Sequence, residues 1–456
     1  MPITTMAQLN VDVLVAGGGV AGAATAAALA PLGLSVLIIE PRTAFGRRLA
    51  GELIHPPGIE GLRELGLLGE DFDLGSDVKG FAIFPYAPQE QPQPLRLPYE
   101  EMRGFSSTGK AIEHEGLKDY LFEKIKSFSG VTVCEGGRVT GIEEDGNGGF
   151  SAVVRHDDVE TRIGARLIIG ADGPMSQVRK LAGIPHETHR YSGMMGVEVE
   201  DTHLPNTGYG NIFLNPAGIS YAYSIGGGRA RVMFEILTGD EPMNSIAKHL
   251  EQFPADFRKD IEAAFATDKP MAASNFRIVP HSSVKSNIAL VGDARGCCHP
   301  VTASGITTAV KDALFLRDAL RDTGLDIPAA LRRYSVMCGR QQLTRRTISE
   351  ELREAFLAHT LEATLLNQCI FSYWRMSARG RAHSLALLAT IDSSIFSMGL
   401  QFAMVVLQSF RVLPLWVREK TLGHWTLALG KLLYKSMSFQ HIAVRQWLKD
   451  QYVLAR

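Results

Sequence analysis

The sequence predicts an α/β fold: a parallel sheet at its base, an antiparallel β-sheet inserted into the chain, and a helical C-terminal region. Three observations carry that expectation. Apolar runs at 11–16, 167–169 and 288–291 each end in a glycine-rich turn, and helical patterns follow the first and the last. Short strand-like runs separated by turn residues occupy 191–237. From about Pro328 onward, apolar residues recur at helical spacing among arginines and glutamates.

The first run, 11–16, is rich in valine and reads as a buried parallel strand. Gly17, Gly19 and Gly22 follow in GxGxxG spacing. The first glycine permits a tight turn, the second lets a pyrophosphate approach the backbone, and the third lets the next helix pack on the sheet. The alanine-rich stretch 23–32 is that helix, and its N-terminus offers free N–H groups to phosphates. A second strand at 35–39 ends in Glu40, about 20 positions after the motif, where a ribose hydroxyl pair is held. NAD and FAD both use this fingerprint, so it does not choose between them.

The other two runs narrow the choice. Leu167-Ile168-Ile169 leads into Gly170-Ala171-Asp172-Gly173, and Ile288-Ala289-Leu290-Val291 leads into Gly292-Asp293. Then come Cys298-His299-Pro300, a small-residue turn at Ala303-Ser304-Gly305, and a helix over 306–320. Asp293 at a strand end can hold a ribityl hydroxyl, and the helix start near Gly305 can offer N–H groups to a flavin ring edge or a phosphate.

The three stretches, in this order, resemble the class A FAD monooxygenases, the family of the aromatic hydroxylases and squalene epoxidase. The resemblance covers 8–325. A closer similarity to the squalene epoxidases lies in Arg48-Leu49-Ala50-Gly51-Glu52-Leu53-Ile54-His55-Pro56-Pro57-Gly58, in Leu65-Gly66-Leu67, and in His299-Pro300-Val301-Thr302 with Gly305. It implies a Rossmann-type FAD-binding domain of the para-hydroxybenzoate hydroxylase kind, with an inserted antiparallel β-sheet substrate domain. It implies FAD contacts at Gly17, Gly19, Val20, Ala21, Gly22, Glu40, Pro41, Arg42, Arg48, Leu53, Val139, Asp172, Asp293, Pro300, Gly305 and Ile306. Two departures stand out. His55 replaces the family's glutamine, and Gly116 falls near the basic residue that opens the helix at 116–127. Both argue against squalene itself as substrate.

The domain organisation follows. The FAD domain takes 8–75, 100–190 and 275–325, and the substrate domain takes 76–99 and 191–274. Residues 326–456 form the helical region, and the proline-rich stretch 85–98 is a connector. Within the substrate domain, strands are expected at 194–200, 210–214, 219–225 and 231–237, with helices at 245–253 and 256–265.

A net charge of −1 argues against a nucleic-acid binder, and 45 % hydrophobic residues with 45 glycines suit an α/β enzyme. The distribution is uneven: residues 371–456 hold 11 Lys/Arg and 3 Asp/Glu, while the first 370 hold 36 and 45. Between Arg381 and Arg411 only Asp392 is charged. This apolar region, interrupted at Asp392-Ser393-Ser394, reads as a helical pair dipping into one membrane leaflet, with Trp416, Trp425 and Trp447 at the interface. A buried helical subdomain or a dimer interface fits the same pattern. The residues before Val11 show no secretory signal, and five cysteines without paired spacing suit a reducing compartment, so a cytoplasmic, peripherally membrane-bound protein is expected.

The resemblance implies that NAD(P)H reduces FAD and that O₂ then forms a flavin C4a-hydroperoxide, which epoxidises or hydroxylates a lipophilic substrate. Isoprenoids, prenylated aromatics and similar natural products are the candidates. No HExxH or paired CxxC motif calls for a metal. His55 is the candidate catalytic residue, as hydrogen-bond donor or proton carrier near the flavin, or else a histidine that packs and caps the helix starting at Pro57. His299 shapes the turn before the flavin helix. Arg179 is a candidate NAD(P)H contact or a surface charge. One of Tyr209, Tyr221 and Tyr223 can line the pocket, although aromatic residues in a sheet are more often core. Cys297-Cys298 supplies small residues at a tight crossing, or a redox or flavin-attachment site. A polyprenyl reductase shares the three motifs and is the alternative activity; a lipid-binding protein without chemistry is the third reading. No Trp-x-Trp pair supports a halogenase.

Overall fold

A computed structural model describes residues 10–42, 49–70, 72–87, 93–144, 149–157 and 159–454. Its base is an eight-stranded sheet. The path runs Val284–Lys285, Ile288–Leu290, Val159–Gly170, Asn10–Ala16, Val36–Glu40 and Val131–Glu135. The five strands after the first are mutually parallel, with Val13 opposite both Leu167 and Val36. Leu14, Val15, Leu37 and Ile38 are fully buried, as strands covered on both faces require. Gly137–Glu144 and Phe150–His156 add an antiparallel ribbon on Val159–Gly170.

The helix Val20–Leu29 packs on one face of this sheet. Its ten residues are almost all small and nine are buried, so backbone and sheet approach closely. Helices Pro56–Glu64, His114–Lys126 and Gly305–Asp322 share the same apolar layer. On the other face, Val139, Cys134 and Val154 pack with Leu37 and Ile39.

The second sheet has seven strands, in the order Met271–Pro280, His186–Glu200, Arg229–Leu237, Gly218–Gly226, Gly210–Asn215, Gly80–Phe84 and Leu95–Pro98. All neighbours are antiparallel except Gly210–Asn215 beside Gly80–Phe84. Helices Pro242–Leu250 and Ala255–Thr267 cover one face through Phe213, Phe234, Phe253 and Phe257. The other face looks toward the domain of the base sheet and the C-terminal helices.

Several expectations shift. The strand expected at 194–200 begins at His186, because its first five residues are polar and exposed yet pair fully with Met271–Pro280. Residues 186–190 and 275–280 therefore belong to the second sheet, beyond the boundaries expected for it. The stretch expected as a connector at 85–98 ends in an edge strand, Leu95–Pro98, where the final proline costs no ladder bond.

The C-terminal region is helical: Ile327–Leu357, Leu361–Met376, Ala378–Leu388, Ile395–Val406, Ser409–Glu419 and Leu422–Leu454. Among the described residues no single helix is long and apolar enough to cross a membrane; Ile395–Val406 and Ser409–Glu419 pass that test only as a pair, bent by 44°. Of the 24 large apolar side chains exposed among the described residues, 18 lie from Phe396 onward, so the apolar surface is concentrated on these last helices. Phe396, Leu400 and Met404 sit four residues apart and form one exposed stripe. The tryptophans behave otherwise than expected. Trp416 and Trp425 are buried, Trp416 completely, and only Trp447 of the three is exposed. Trp425 donates to the Ser409 carbonyl, which ties it into the packing between helices.

Candidate functional site

The glycine loop sits at the C-terminal ends of the parallel strands. Gly17 has φ +105°, and a Cβ there would lie 2.5 Å from the Ala171 oxygen. A Cβ on Gly22 would lie 1.9 Å from the Gly17 oxygen. Both positions are therefore closed to any side chain. Gly19 differs: a Cβ there meets nothing nearer than Lys118 Cδ at 4.0 Å, which leaves the approach that a pyrophosphate needs. Val20 is buried and Ala21 half-buried at the start of the helix.

Glu40 ends its strand with its carboxylate held from two sides. Oε2 accepts from the Gly18 N–H at 2.6 Å and Oε1 from the Arg42 N–H at 3.1 Å. Its remaining lone pairs are those a ribose would use. Pro41 and Arg42 are exposed beside it. Arg48 lies outside the described residues. Val139 is buried in the core on the opposite face of the sheet, so its main chain is what it can offer. Asp172 Oδ2 accepts from the Gln177 and Val178 N–H groups, while its buried Oδ1 has no partner. An orphaned carboxylate oxygen beside the first glycine fits a hydroxyl-bearing cofactor.

The second half of the site is a cavity of about 340 Å³ between the base sheet and the second sheet. Leu53, Asp293, Pro300, Gly305 and Ile306 all line it. Asp293, Pro300 and Gly305 are exposed although they lie at an interior crossing from strand to helix, because the cavity opens there. Nothing lies within 4 Å of a Cβ built on Gly305. Twelve of the expected contacts thus fall into two clusters, Gly17, Gly19, Val20, Ala21, Gly22, Glu40 and Asp172 at the loop and Leu53, Asp293, Pro300, Gly305 and Ile306 at the cavity, while Pro41 and Arg42 follow Glu40 and Val139 belongs to neither.

The turn that carries Asp293 is braced from beneath. Arg295 makes a bidentate pair with Asp312 at 2.9 Å through each nitrogen, and Asp312 also accepts the Gly292 N–H. Arg295 then reaches Gln341 at 2.7 Å.

His55 is not on the cavity wall. It is fully buried at the N-cap of Pro56–Glu64. Tyr99 Oη lies 2.7 Å from Nδ1, and the Thr302 oxygen lies 2.9 Å from Nε2. Burial lowers its pKa to about 4, against a smaller raising effect of the Thr302 carbonyl. Burial also keeps the Tyr99 phenol neutral, so its O–H donates to Nδ1 and Nε2–H donates to Thr302. The expected proton carrier therefore has both nitrogens engaged and no path to a ligand in this arrangement. What it does is fix Thr302, which lines the cavity.

His299 shapes its turn as expected, accepting the Val301 N–H through Nδ1. Its Nε2–H donates to Glu235 at 3.1 Å, and Arg353 adds two more bonds to the same carboxylate. Burial would raise Glu235, but His299 and Arg353 together hold it at about 2. Arg179 is neither a surface charge nor exposed to a ligand. It is buried and clamps the Pro174 and Ala294 carbonyls, joining two cofactor-side loops. Tyr221 and Tyr223 line the cavity and Tyr209 does not. Cys297 and Cys298 line it too, and burial pushes the Cys297 thiol well up, which removes its nucleophilic form.

Four polar residues of the wall bond to each other in two pairs, while the buried Tyr221 oxygen has no partner. Tyr223 donates to Glu52 at 3.2 Å, and Arg231 grips Glu52 with both Nε and Nη2. Thr302 pairs with Ser304. The remaining wall includes Leu49, Phe81, Met194, Ile212 and Met233. Sequence reasoning missed Arg231, Glu235, Arg353 and the Arg295–Asp312 pair, since none belongs to a motif. It also missed Lys118, whose helix presses on the glycine loop.

Comparison with known proteins agrees with this geometry. Residues 10–323 match the family described as FAD binding domain. The chain is 28 % identical over 428 residues to squalene epoxidase 2, mitochondrial, of Arabidopsis thaliana, covering 89 % of this chain and 71 % of that protein. It is 27 % identical over 366 residues to ubiquinone hydroxylase UbiL of Rhodospirillum rubrum, covering 78 % and 84 %. Among solved structures, p-nitrophenol 4-monooxygenase PnpA from Pseudomonas putida DLL-E4 superposes with a TM-score of 0.69 at 16 % identity, over 87 % of this chain and 99 % of that one. At that identity the superposition speaks for the fold alone.

Proposed function

The chain belongs to the FAD-binding-domain family and is an FAD-dependent monooxygenase resembling the squalene epoxidases; from that premise we propose that it uses NAD(P)H and O₂ to epoxidise or hydroxylate a lipophilic substrate. The candidates are isoprenoids, prenylated aromatics and similar natural products. One observation carries this reading: the cavity wall is mainly apolar, with Leu49, Leu53, Phe81, Met194, Ile212 and Met233 on it, and Tyr223–Glu52 and Thr302–Ser304 are bonded within it. A substrate recognised by such a wall is bound by shape and burial, not by charge.

Bound FAD supplies electron transfer from NAD(P)H and activation of O₂, so that one oxygen atom enters the substrate and the other leaves as water. The chain does the rest. Gly17, Gly19 and Gly22 with the following helix would receive the pyrophosphate, and Glu40 would receive ribose hydroxyls. Asp293 would hold a ribityl hydroxyl, and the helix start at Gly305 and Ile306 would offer its N–H groups to the flavin. His55 acts as a positioning residue that fixes Thr302, and the wall of Leu53, Phe81, Ile212 and Met233 excludes water and orients the reacting bond.

The exposed stripe of the last helices is proposed as a peripheral membrane contact. The next helix, Ser409–Glu419, and the residue after it carry Arg411, Arg418 and Lys420, which suits an anionic surface.

The test is isotopic. FAD-loaded protein is supplied with NADPH, ¹⁸O₂ and a panel of isoprenoids and prenylated quinols. One ¹⁸O atom per product molecule supports the reading. Anaerobic product carrying two extra hydrogens and no label would replace it with a polyprenyl reductase.

A further inference from the structure

We infer that Arg345 is the positive charge that favours reduced over oxidised FAD in this chain. The inference rests on the FAD reading above and assigns a residue outside every motif. Arg345 belongs to helix Ile327–Leu357, is 3 % exposed, and lines the cavity that would receive the flavin ring. Its Nη2 donates to the Gly296 carbonyl oxygen at 2.9 Å. Gly296 has φ +127°, and a Cβ there would lie 2.6 Å from the Ile278 oxygen, so the turn that holds the guanidinium is itself closely packed. The buried Nε of Arg345 has no partner.

Other buried arginines differ. Arg231 is paired with Glu52 and Glu198, and Arg295 with Asp312, whereas Arg345 has no carboxylate ion pair among the described residues. Arg179 clamps two carbonyls and lies off the cavity. A buried charge without a counterpart is costly, so an uncompensated guanidinium on a cavity wall points to an anion inside the cavity. The other two charged residues of the wall are Glu52, which Arg231 grips, and Asp293, assigned above to a ribityl hydroxyl. The field of Arg345 already registers on the wall. Burial pushes the Cys297 thiol up, Asp293 and Cys298 push the same way, and Arg345 pulls against them.

Hydride transfer from NAD(P)H supplies that anion. Two electrons and one proton pass to the neutral ring, NAD(P)⁺ leaves, and the reduced ring carries one negative charge. Between mainly apolar walls this charge is poorly screened and is attracted to a cation on the wall. The N–H groups at the start of Gly305–Asp322 offer it partial charges, and Arg345 offers a full one. The oxidised ring is neutral and gains little from either.

The experiment reads a potential, not turnover. FAD-loaded wild type, Arg345→Gln and Arg345→Lys are reduced anaerobically with dithionite in equilibrium with a reference dye. Gln removes the charge and keeps an N–H for Gly296. In Arg345→Gln, reduced FAD should bind about tenfold more weakly relative to oxidised FAD, which lowers a two-electron potential by about 30 mV. Arg345→Lys should restore most of it. Equal potentials in wild type and Arg345→Gln overturn the assignment. A fall that Arg345→Lys does not restore also overturns it, because packing of the turn and not charge is then what was lost. Should Arg345→Gln not fold, the wild-type potential decides. An anionic reduced ring takes up one proton per two electrons, so each tenfold change in proton concentration below neutral pH moves the potential by about 30 mV; a slope of about 59 mV means a neutral reduced ring and overturns the assignment. Wild type that binds no FAD under any condition would refute the FAD reading itself, a separate outcome.

Discussion

His55→Gln should flatten the acid limb of this protein's stability by about 2 kcal/mol between pH 8 and pH 5. Gln can keep both hydrogen bonds, its amide N–H donating to the Thr302 oxygen and its carbonyl accepting from Tyr99, while removing the titration. The folded pKa of His55 is about 4 against 6.5 for an unfolded histidine. Because the folded value is the lower one, the native state favours the neutral ring. Its contribution is therefore complete above pH 6.5 and is lost as pH falls through 6.5 toward 4. Integrated over that window, the loss is about 2 kcal/mol at pH 5 and about 3 kcal/mol below pH 4. His249 is buried with a pKa of about 4 as well and adds a similar slope, so the difference between the two proteins, not the wild-type curve alone, isolates His55. The assay is equilibrium urea unfolding of wild type and His55→Gln at pH 8, 7, 6 and 5. Parallel curves, differing by less than about 0.5 kcal/mol across that range, would falsify the placement of His55 as a neutral ring sealed between Tyr99 and Thr302.

Other expectations follow from particular contacts. Gly22→Ala drives a Cβ into the Gly17 oxygen, so the purified protein should be colourless and less stable, whereas Gly19→Ala should fold normally and bind FAD more weakly; flavin absorbance and melting temperature separate the two. Arg353→Met leaves the buried Glu235 with only His299 and the Ile219 N–H and should destabilise by roughly 3–5 kcal/mol, visible as a lower urea midpoint; an effect under about 1 kcal/mol would show that the pair is not buried as described. Replacing Phe396, Leu400 and Met404 by Ser should abolish cosedimentation with phosphatidylserine vesicles and leave flavin content unchanged. Met233→Trp fills the cavity and should raise the KM for the substrate identified by isotope labelling without releasing FAD.

Much of the cofactor side was legible in the sequence because its signals are local. A glycine forced to φ +105°, an acid at a strand end and a helix of small residues each occur within a few positions of the next. The first half of His186–Glu200 was not legible, because a strand made of His, Glu, Thr and Arg shows no alternation until its partner is known. The same holds for Glu235, which meets His299 from 64 positions away and Arg353 from 118. His55 illustrates a different limit. Its position next to the cofactor motifs suggested chemistry, and only the contacts of Tyr99 and Thr302 turn it toward the interior. The tryptophans of the last helices likewise read as interfacial by composition, yet Trp416 is an interhelical core residue.

The chain order of the base sheet has a consequence for synthesis. Asn10–Ala16 emerges first but needs Val159–Gly170 at its side, and that strand in turn needs Ile288–Leu290. The brace on the last turn arrives later still, with Asp312. A ribosome must therefore release more than 300 residues before the phosphate loop and the ring pocket exist together, and a growing chain has to hold its first strand unpaired on one edge meanwhile. FAD can act on folding only after that point, where binding the native state alone draws the closed sheet out of its competitors by mass action. Flavin supply would then set the yield of folded enzyme after translation and leave the earlier, slower search untouched.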